Sequence, residues 1–304
     1  MDGYKKFFKK RATRRFILSL LRFLPDRTML KIQYKIKTGR KLNLKNPIRF
    51  TEKLQYYKLF YRNKILRQCV DKLAVREYVK SKGLENILVK LYATYDSIDE
   101  INFNNLPKSF VVKTTNGGGG NNVVLCKDKY NFDIKAFADT IKLQKYKPRT
   151  EGREWAYYNI APRIIIEELL LNKDNEQAGV NDYKFFCYDG KPTYIVVDVD
   201  RYIGHKRNFY DANWNNLNVT SDCPPIDREI QRPDNLDDMI RIASILSEGF
   251  PFVRVDLYNV SGKIYFGELT FYPWSGYVVF KPDEMDKVFG DPFDLTRFKT
   301  RDKL

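Results

Sequence analysis

Two stretches of alternating apolar and polar residues, each folded about a short turn that contains Gly, restrict the fold of this chain most. Residues 183–188 and 193–199 flank Asp189-Gly190, and residues 252–260 and 263–271 flank Ser261-Gly262. A period of two sends alternate side chains to opposite faces of a sheet, and a residue followed by Gly between two such runs marks a tight hairpin. Between the hairpins, residues 233–249 repeat Leu236, Met239, Ile240, Ala243 and Leu246 on one helical face. Earlier in the chain the pattern predicts a capped helix beginning near Thr51 and another over 71–82 stopped by Gly83. Short strands are predicted at 88–92, 109–115, 123–126 and 163–170. Strands grouped in hairpins between helices favour α+β over a doubly wound parallel sheet.

Charge and rare residues narrow the chemistry. The formal net charge is +16, yet residues 1–67 hold 21 Lys and Arg against Asp2, Asp26 and Glu52. The rest of the chain is therefore close to neutral. A nucleic-acid enzyme would spread its basic residues through the domain that grips phosphates, so nucleic acid is not the expected partner. Cys69, Cys126, Cys187 and Cys223 are too far apart for a zinc-type pair or a dense disulfide framework, which suits a reduced cytoplasm. His205 is the single histidine, so no multi-histidine metal centre is possible. Any chemistry must run on carboxylates, Lys, Arg or a bound ion.

The basic front end, residues 4–24, places Phe16, Ile17, Leu20, Leu21 and Leu24 at helical spacing among its Lys and Arg. Arg22 interrupts the apolar centre that a secretory signal would need, and no apolar run approaches the ~20 residues of a spanning helix. One reading is an interfacial helix that uses residues 1–40 to hold the protein on anionic lipid. A solvated basic helix packed on the body and a docking patch for an acidic polymer are the alternatives.

Lys113 ends a predicted strand, Gly117, Gly118, Gly119 and Gly120 follow, and another strand resumes at Val123. No Lys-Ser or Lys-Thr follows the glycines and no helix opens behind them, so neither the P-loop nor the dinucleotide fingerprint is met. A flap able to close over a polyphosphate fits, as does an ordinary Gly-rich turn. In the second hairpin, a two-residue loop would set Asp256 opposite Gly267 and send Glu268 to the wrong side. A three-residue loop brings Asp256 and Glu268 to one face. Two carboxylates there suit Mg²⁺, with Arg254 and Thr270 beside them.

Taken in order, these segments resemble the TupA-like group of the ATP-grasp superfamily, linked to teichuronopeptide and other surface-polysaccharide synthesis. The resemblance is carried by NPIRFTEKLQYYK, SFVVKTTNGGGGN, IIIEELL, DYKFFCYDGKP, VDVDRY and FVRVDLYNVSGKIYFGELTFYPWSG, from about Asn46 to Gly290. It implies two α+β subdomains clasping ATP. Expected divisions are a basic extension over 1–45, a helical and strand region over 46–108, a lid with the glycine flap over 109–162, and a Mg²⁺-site subdomain over 163–304.

The resemblance also implies roles. Lys113 and the glycines would hold ATP phosphates, Glu167 and Glu168 the adenine and ribose, and Asp182 would stand beside a phosphate-facing Lys184. Asp256 and Glu268 would be Mg²⁺ ligands. Thr270 stands where many relatives have Asn. Arg201 and Arg254 would meet a substrate carboxylate or the transferred phosphate. The implied activity is an ATP-dependent carboxylate–amine ligase working through an acylphosphate. It would join an amino acid or amine to a uronic acid in capsule, O-antigen or teichuronopeptide synthesis, at the inner face of the plasma membrane. Two rivals stand beside it. Asp198-Val199-Asp200 imitates the DxD metal motif of a glycosyltransferase, and the basic front end would suit a non-catalytic glycan or membrane binder.

Overall fold

The computed structural model describes residues 21–116, 123–133, 137–138, 152–172 and 176–298. Residues 1–20 of the basic front end and Gly117, Gly118, Gly119 and Gly120 lie outside them.

Both predicted hairpins form. Strands β5 (Asp182–Tyr188) and β6 (Lys191–Val199) turn at Asp189 and Gly190, with φ of 51° and 77°. Strands β8 (Phe252–Val260) and β9 (Lys263–Thr270) turn at Ser261 and Gly262, with φ of 52° and 81°. Two successive left-handed residues match the twist of the flanking strands. With β7 (Lys206–Asp211) these make an antiparallel sheet of order β7-β6-β5-β8-β9. One face is covered by helix α5 (Leu236–Ser247) through Met239, Ala243 and Leu246. The opposite face is divided along its length. At one end Phe186 and Tyr188 join Phe50, Phe252 and Phe289 in an aromatic cluster. At the other end lie the charged residues of the site, which is why β5 is buried along its whole length.

A second antiparallel sheet has the order β1-β4-β2-β3. It consists of β1 (Leu91–Tyr95), β2 (Phe110–Thr114), β3 (Val123–Cys126) and β4 (Ile164–Glu167). Phe110, Val112, Ile164 and Ile166 face a small core of their own. Alternation turns Val111, Lys113, Ile165 and Glu167 to the other face. The sheet thus takes β1 from the expected 46–108 segment, β2 and β3 from 109–162, and β4 from 163–304.

The helices shift from their predicted places for local reasons. Helix α1 (Asp26–Thr38) packs Met29, Leu30 and Tyr34 inward, so the described part of the basic front end is bonded into the body. Helix α2 (Phe50–Phe60) starts where Glu52 turns back to accept the amides of Ile48 and Arg49 at 3.1 and 3.2 Å. The Thr51 hydroxyl donates to Asp286 instead of capping. The helix expected over 71–82 forms as the shorter α4 (Val75–Ser81), and a short helix that was not expected, α3 (Ile65–Val70), precedes it. The Asp71 carboxylate accepts the amides of Leu73 and Ala74 between them. The strand expected at 88–92 lies at Leu91–Tyr95. No helix among the described residues is long and apolar enough to cross a membrane.

Candidate functional site

The carboxylates meet, but the loop that brings them together is not the expected one. The β8–β9 turn has two residues, pairing Val260 with Lys263, and the register is corrected by a bulge so that Asp256 pairs with Glu268. Gly267 is the extra residue; a Cβ there would stand 3.0 Å from the Asp256 carbonyl oxygen. An extra residue without a side chain flips the following positions to the other face. Glycine therefore does here what the expected third loop residue would have done.

Arg254 closes this face into one network. Its guanidinium donates to both Asp256 oxygens at 2.7 and 2.6 Å, to Glu268 at 3.2 Å and to Thr270 Oγ1 at 3.1 Å. The Thr270 hydroxyl donates to Glu268 at 2.8 Å. Burial opposes ionisation of Glu268, but Lys72, Arg254, the Thr270 hydroxyl and Lys184 outweigh it and hold the carboxyl at about 2. Burial pushes Asp256 up to about 6 against the pull of Arg254 and Lys184, which leaves it ionised at neutral pH. Burial also opposes the Arg254 charge, and Asp256 more than restores it.

The network continues across the sheet. Buried Lys184 sets its Nζ 3.0 Å from Asp182, 3.2 Å from Asp198 and 3.8 Å from Asp256. Arg201 pairs with Asp182 at 2.9 Å. Arg207 holds both Asp198 oxygens, at 2.5 and 3.1 Å, and reaches Asp222. Desolvation disfavours the Asp198 carboxylate, yet Lys184, His205 and Arg207 together hold its pKa well below the ordinary carboxylate range.

This arrangement argues against the DxD reading. Asp198 is enclosed by two cations, and Asp200 is held by Arg228 at 2.6 and 3.1 Å. Asp198, His205 and Cys223 do bring donor atoms within 4.8 Å of one another. Burial pushes the Cys223 thiol up to about 11 against the pull of Arg207, so without a metal it is a neutral thiol.

The small sheet contributes a second group. Lys113 Nζ lies 2.8 Å from one Glu167 oxygen and Arg76 lies 3.0 Å from the other. Glu168 stands just past β4, its amide donating to the Lys90 carbonyl at 2.9 Å. Lys72, whose amide donates to the Thr115 carbonyl at 3.0 Å, links the two groups. Burial lowers its pKa, Glu268 raises it, and Lys113 lowers it again. A void of about 10 Å³ lies between Lys72, Tyr157, Gly267 and Glu268. A cleft of about 730 Å³ lies on the far side of Arg76, against Lys80, Leu91 and Arg163.

Lys72, Arg76 and Arg207 are the charged residues that sequence reasoning missed. Asp71-Lys72 ahead of an apolar helix was a faint signal. Arg207 had none, because β7 had not been recognised.

A family model described as TupA-like ATPgrasp matches residues 52–294. The chain belongs to the TupA-like ATP-grasp family. The match spans both sheets and every described site residue, so the two-sheet α+β body is that of an ATP-grasp protein. Among curated proteins none matches the chain.

Solved structures that resemble this ATP-grasp chain include D-alanine–D-alanine ligase from Bacillus anthracis. It is 18% identical, with a TM-score of 0.40, over 67% of this chain and 57% of that one. The Helicobacter pylori D-alanine–D-alanine ligase is 15% identical, with a TM-score of 0.40, over 74% and 61%. N5-carboxyaminoimidazole synthetase from Staphylococcus aureus, complexed with ADP, is 16% identical, with a TM-score of 0.37, over 67% and 44%. The chain thus spans 61% or less of the length of each of these.

Proposed function

We propose that this TupA-like protein is an ATP-dependent carboxylate–amine ligase. The observation that carries the reading is the joined set Arg254, Asp256, Glu268 and Thr270, with Lys184 beside it and Lys113 and Glu167 on the facing sheet. In the first step a substrate carboxylate oxygen attacks the γ-phosphorus, the bond to the bridging oxygen breaks, and ADP leaves. In the second an amine nitrogen attacks the acyl carbon, phosphate leaves, and the amine loses a proton. Fixed cations aimed at the transferring phosphoryl group are the main requirement of such chemistry, so a histidine is not needed.

The donor set fits Mg²⁺: Asp256 and Glu268 supply hard carboxylate oxygens, and Thr270 is the candidate third ligand. When bound, the ion neutralises phosphate oxygens. Lys113, Lys184 and Lys72 would meet the phosphates, with Asp182 orienting Lys184 and the glycines 117–120 forming the flap. Thr114 Oγ1 and Asn116 Oδ1 are buried without a hydrogen-bond partner among the described residues, which supports a polar ligand at this end of β2. Glu167 and Glu168 would serve adenine and ribose, and Arg201 and Arg254 the substrate carboxylate or transferred phosphate.

The finer reading joins an amino acid or amine to a uronic acid of a surface polysaccharide. The basic front end would keep the enzyme on an anionic membrane face, and exposed Ile32 and Ile36 among Lys31 and Lys35 support that. An ADP-release screen of amino acids against uronic acids tests the ligase. ADP formed only when both are present is the expected result, lost in Asp256→Asn and Glu268→Gln. UDP release from a sugar nucleotide would overturn the ligase reading.

A further inference from the structure

The loop that follows β9 holds two adjacent non-glycine residues, Trp274 and Ser275, at φ of 49° and 54°, with Gly276 at 65°. L-residues avoid this region, so a turn of this kind persists only where its surroundings dictate it. Here the surroundings are a lysine of helix α2. Lys58 has a fully buried side chain, and its Nζ donates to the Ser275 carbonyl at 2.8 Å, to Ser275 Oγ at 3.0 Å and to the Gly152 carbonyl at 2.9 Å. The nearest carboxylate oxygen, on Glu154, is 3.8 Å away, and the Tyr277 ring lies 4.8 Å from the ammonium. Gln55, one turn before Lys58, adds bonds to the Ser275 and Gly276 carbonyls at 3.1 and 2.8 Å. The fit is close: a Cβ on Gly276 would fall 2.4 Å from Gln55 Nε2, and one on Gly152 would fall 2.7 Å from Ser275 Oγ.

What the turn presents is Trp274. Its indole N–H donates to Asp222 at 3.0 Å, and the Arg207 guanidinium lies 5.0 Å from its ring. Arg207 in turn holds Asp198, and Asp198 faces Lys184. The ring also packs against Phe186, Phe209 and Phe280 and is half-buried as a whole, so part of it remains accessible to solvent.

We propose that Lys58 is a positioning residue of the ligase: its buried ammonium fixes the Trp274–Ser275 turn, and the turn sets the Trp274 ring as a wall for the carboxylate or amine substrate. Lys58 touches neither substrate nor nucleotide. Burial pulls the Lys58 pKa down to about 7 against the pull of Glu154, and a polar group kept buried where an apolar residue of the same length would avoid the desolvation points to a geometric task. The inference rests on the site reading above, and its test separates the two.

The protein has three tryptophans, at 155, 214 and 274, so 5-fluorotryptophan labelling gives three ¹⁹F resonances that single Trp→Phe variants assign. In Lys58→Met the Trp274 resonance should shift and broaden, while Trp214, on the β7 side, stays in place. Lys58→Arg should retain much of the parent position. With substrates found by the ADP screen, Lys58→Met should raise the KM of the carboxylate or amine at least tenfold and leave that of ATP within twofold. Trp274→Ala should show the same split. An unmoved Trp274 resonance in Lys58→Met would overturn the proposal, as would an equal loss of ATP affinity. Lys58→Gln, which keeps a donor, is read in the same way should the Met variant not fold. The resonance test needs no turnover, so failure to find a ligase reaction would count against the site reading alone.

Discussion

Removing Arg207 should expose how strongly the charged face depends on internal pairing. In Arg207→Met the buried Asp198 carboxylate loses hydrogen bonds of 2.5 and 3.1 Å. Breaking one side of a buried pair typically costs about 3–5 kcal/mol, because the surviving charge is left without its partner. Lys184 at 3.2 Å and His205 at 3.2 Å remain beside Asp198, which places the expected loss at the lower end, about 3 kcal/mol. The contact with half-exposed Asp222 adds little, and the stacking on Trp274 adds about 0.5–1 kcal/mol. Urea unfolding at pH 7 should therefore show a loss of about 3–4 kcal/mol, and thermal unfolding a fall of roughly 6–12 °C. Asp198→Asn in the same chain removes the orphaned charge and should restore about 2 kcal/mol of the deficit. A single variant within about 1 kcal/mol of the parent, or a double variant no better than the single, would refute the reasoning.

Other consequences can be measured directly. Gly267→Val puts a branched side chain against the Asp256 carbonyl, so it should cost about 1–3 kcal/mol and weaken Mg²⁺-dependent binding of a fluorescent ADP analogue at least tenfold. Glu268 is held at about 2, below the ordinary carboxylate value, so its contribution to stability is present above pH 4.5 and is lost as pH falls towards 2. Glu268→Gln should flatten that part of a plot of urea midpoint against pH. Lys72→Met should raise the KM of ATP more than that of the other substrates, and an unchanged KM would remove Lys72 from the nucleotide site. Lys31→Glu with Lys35→Glu should reduce sedimentation with anionic vesicles and leave that with neutral vesicles unaltered. This variant tests the surface better than deleting 1–40, because α1 is bonded into the core through Tyr34 and Asp26.

The parts of this fold that could be read from the sequence are those fixed by local chemistry. Alternation together with Asp189-Gly190 and Ser261-Gly262 set both hairpins, since the strand twist accepts only such turns. The convergence of Asp256 and Glu268 was legible too, although for the wrong reason: a bulge at Gly267 replaces the expected longer loop. A lone glycine in a strand was the available sign. Pairing between distant segments left no such trace. Nothing in the spacing of 91–95 and 164–167 says that β1 and β4 are neighbours, so the small sheet could not be assembled in advance. The same limit explains Asp198. Read with Asp200 it looks like a metal motif, and its true partner Arg207 becomes visible only when β7 folds back on β6.

Arg254 has a bearing on the order of events. The guanidinium occupies both Asp256 oxygens and reaches Glu268, so a free ion arriving alone must displace a buried cation without supplying it a new anion. An ion carried in on a polyphosphate brings that anion with it. The site is thus expected to ignore dissolved metal and to admit it only as cargo of the nucleotide, a discrimination made by sequence of arrival and not by ionic radius.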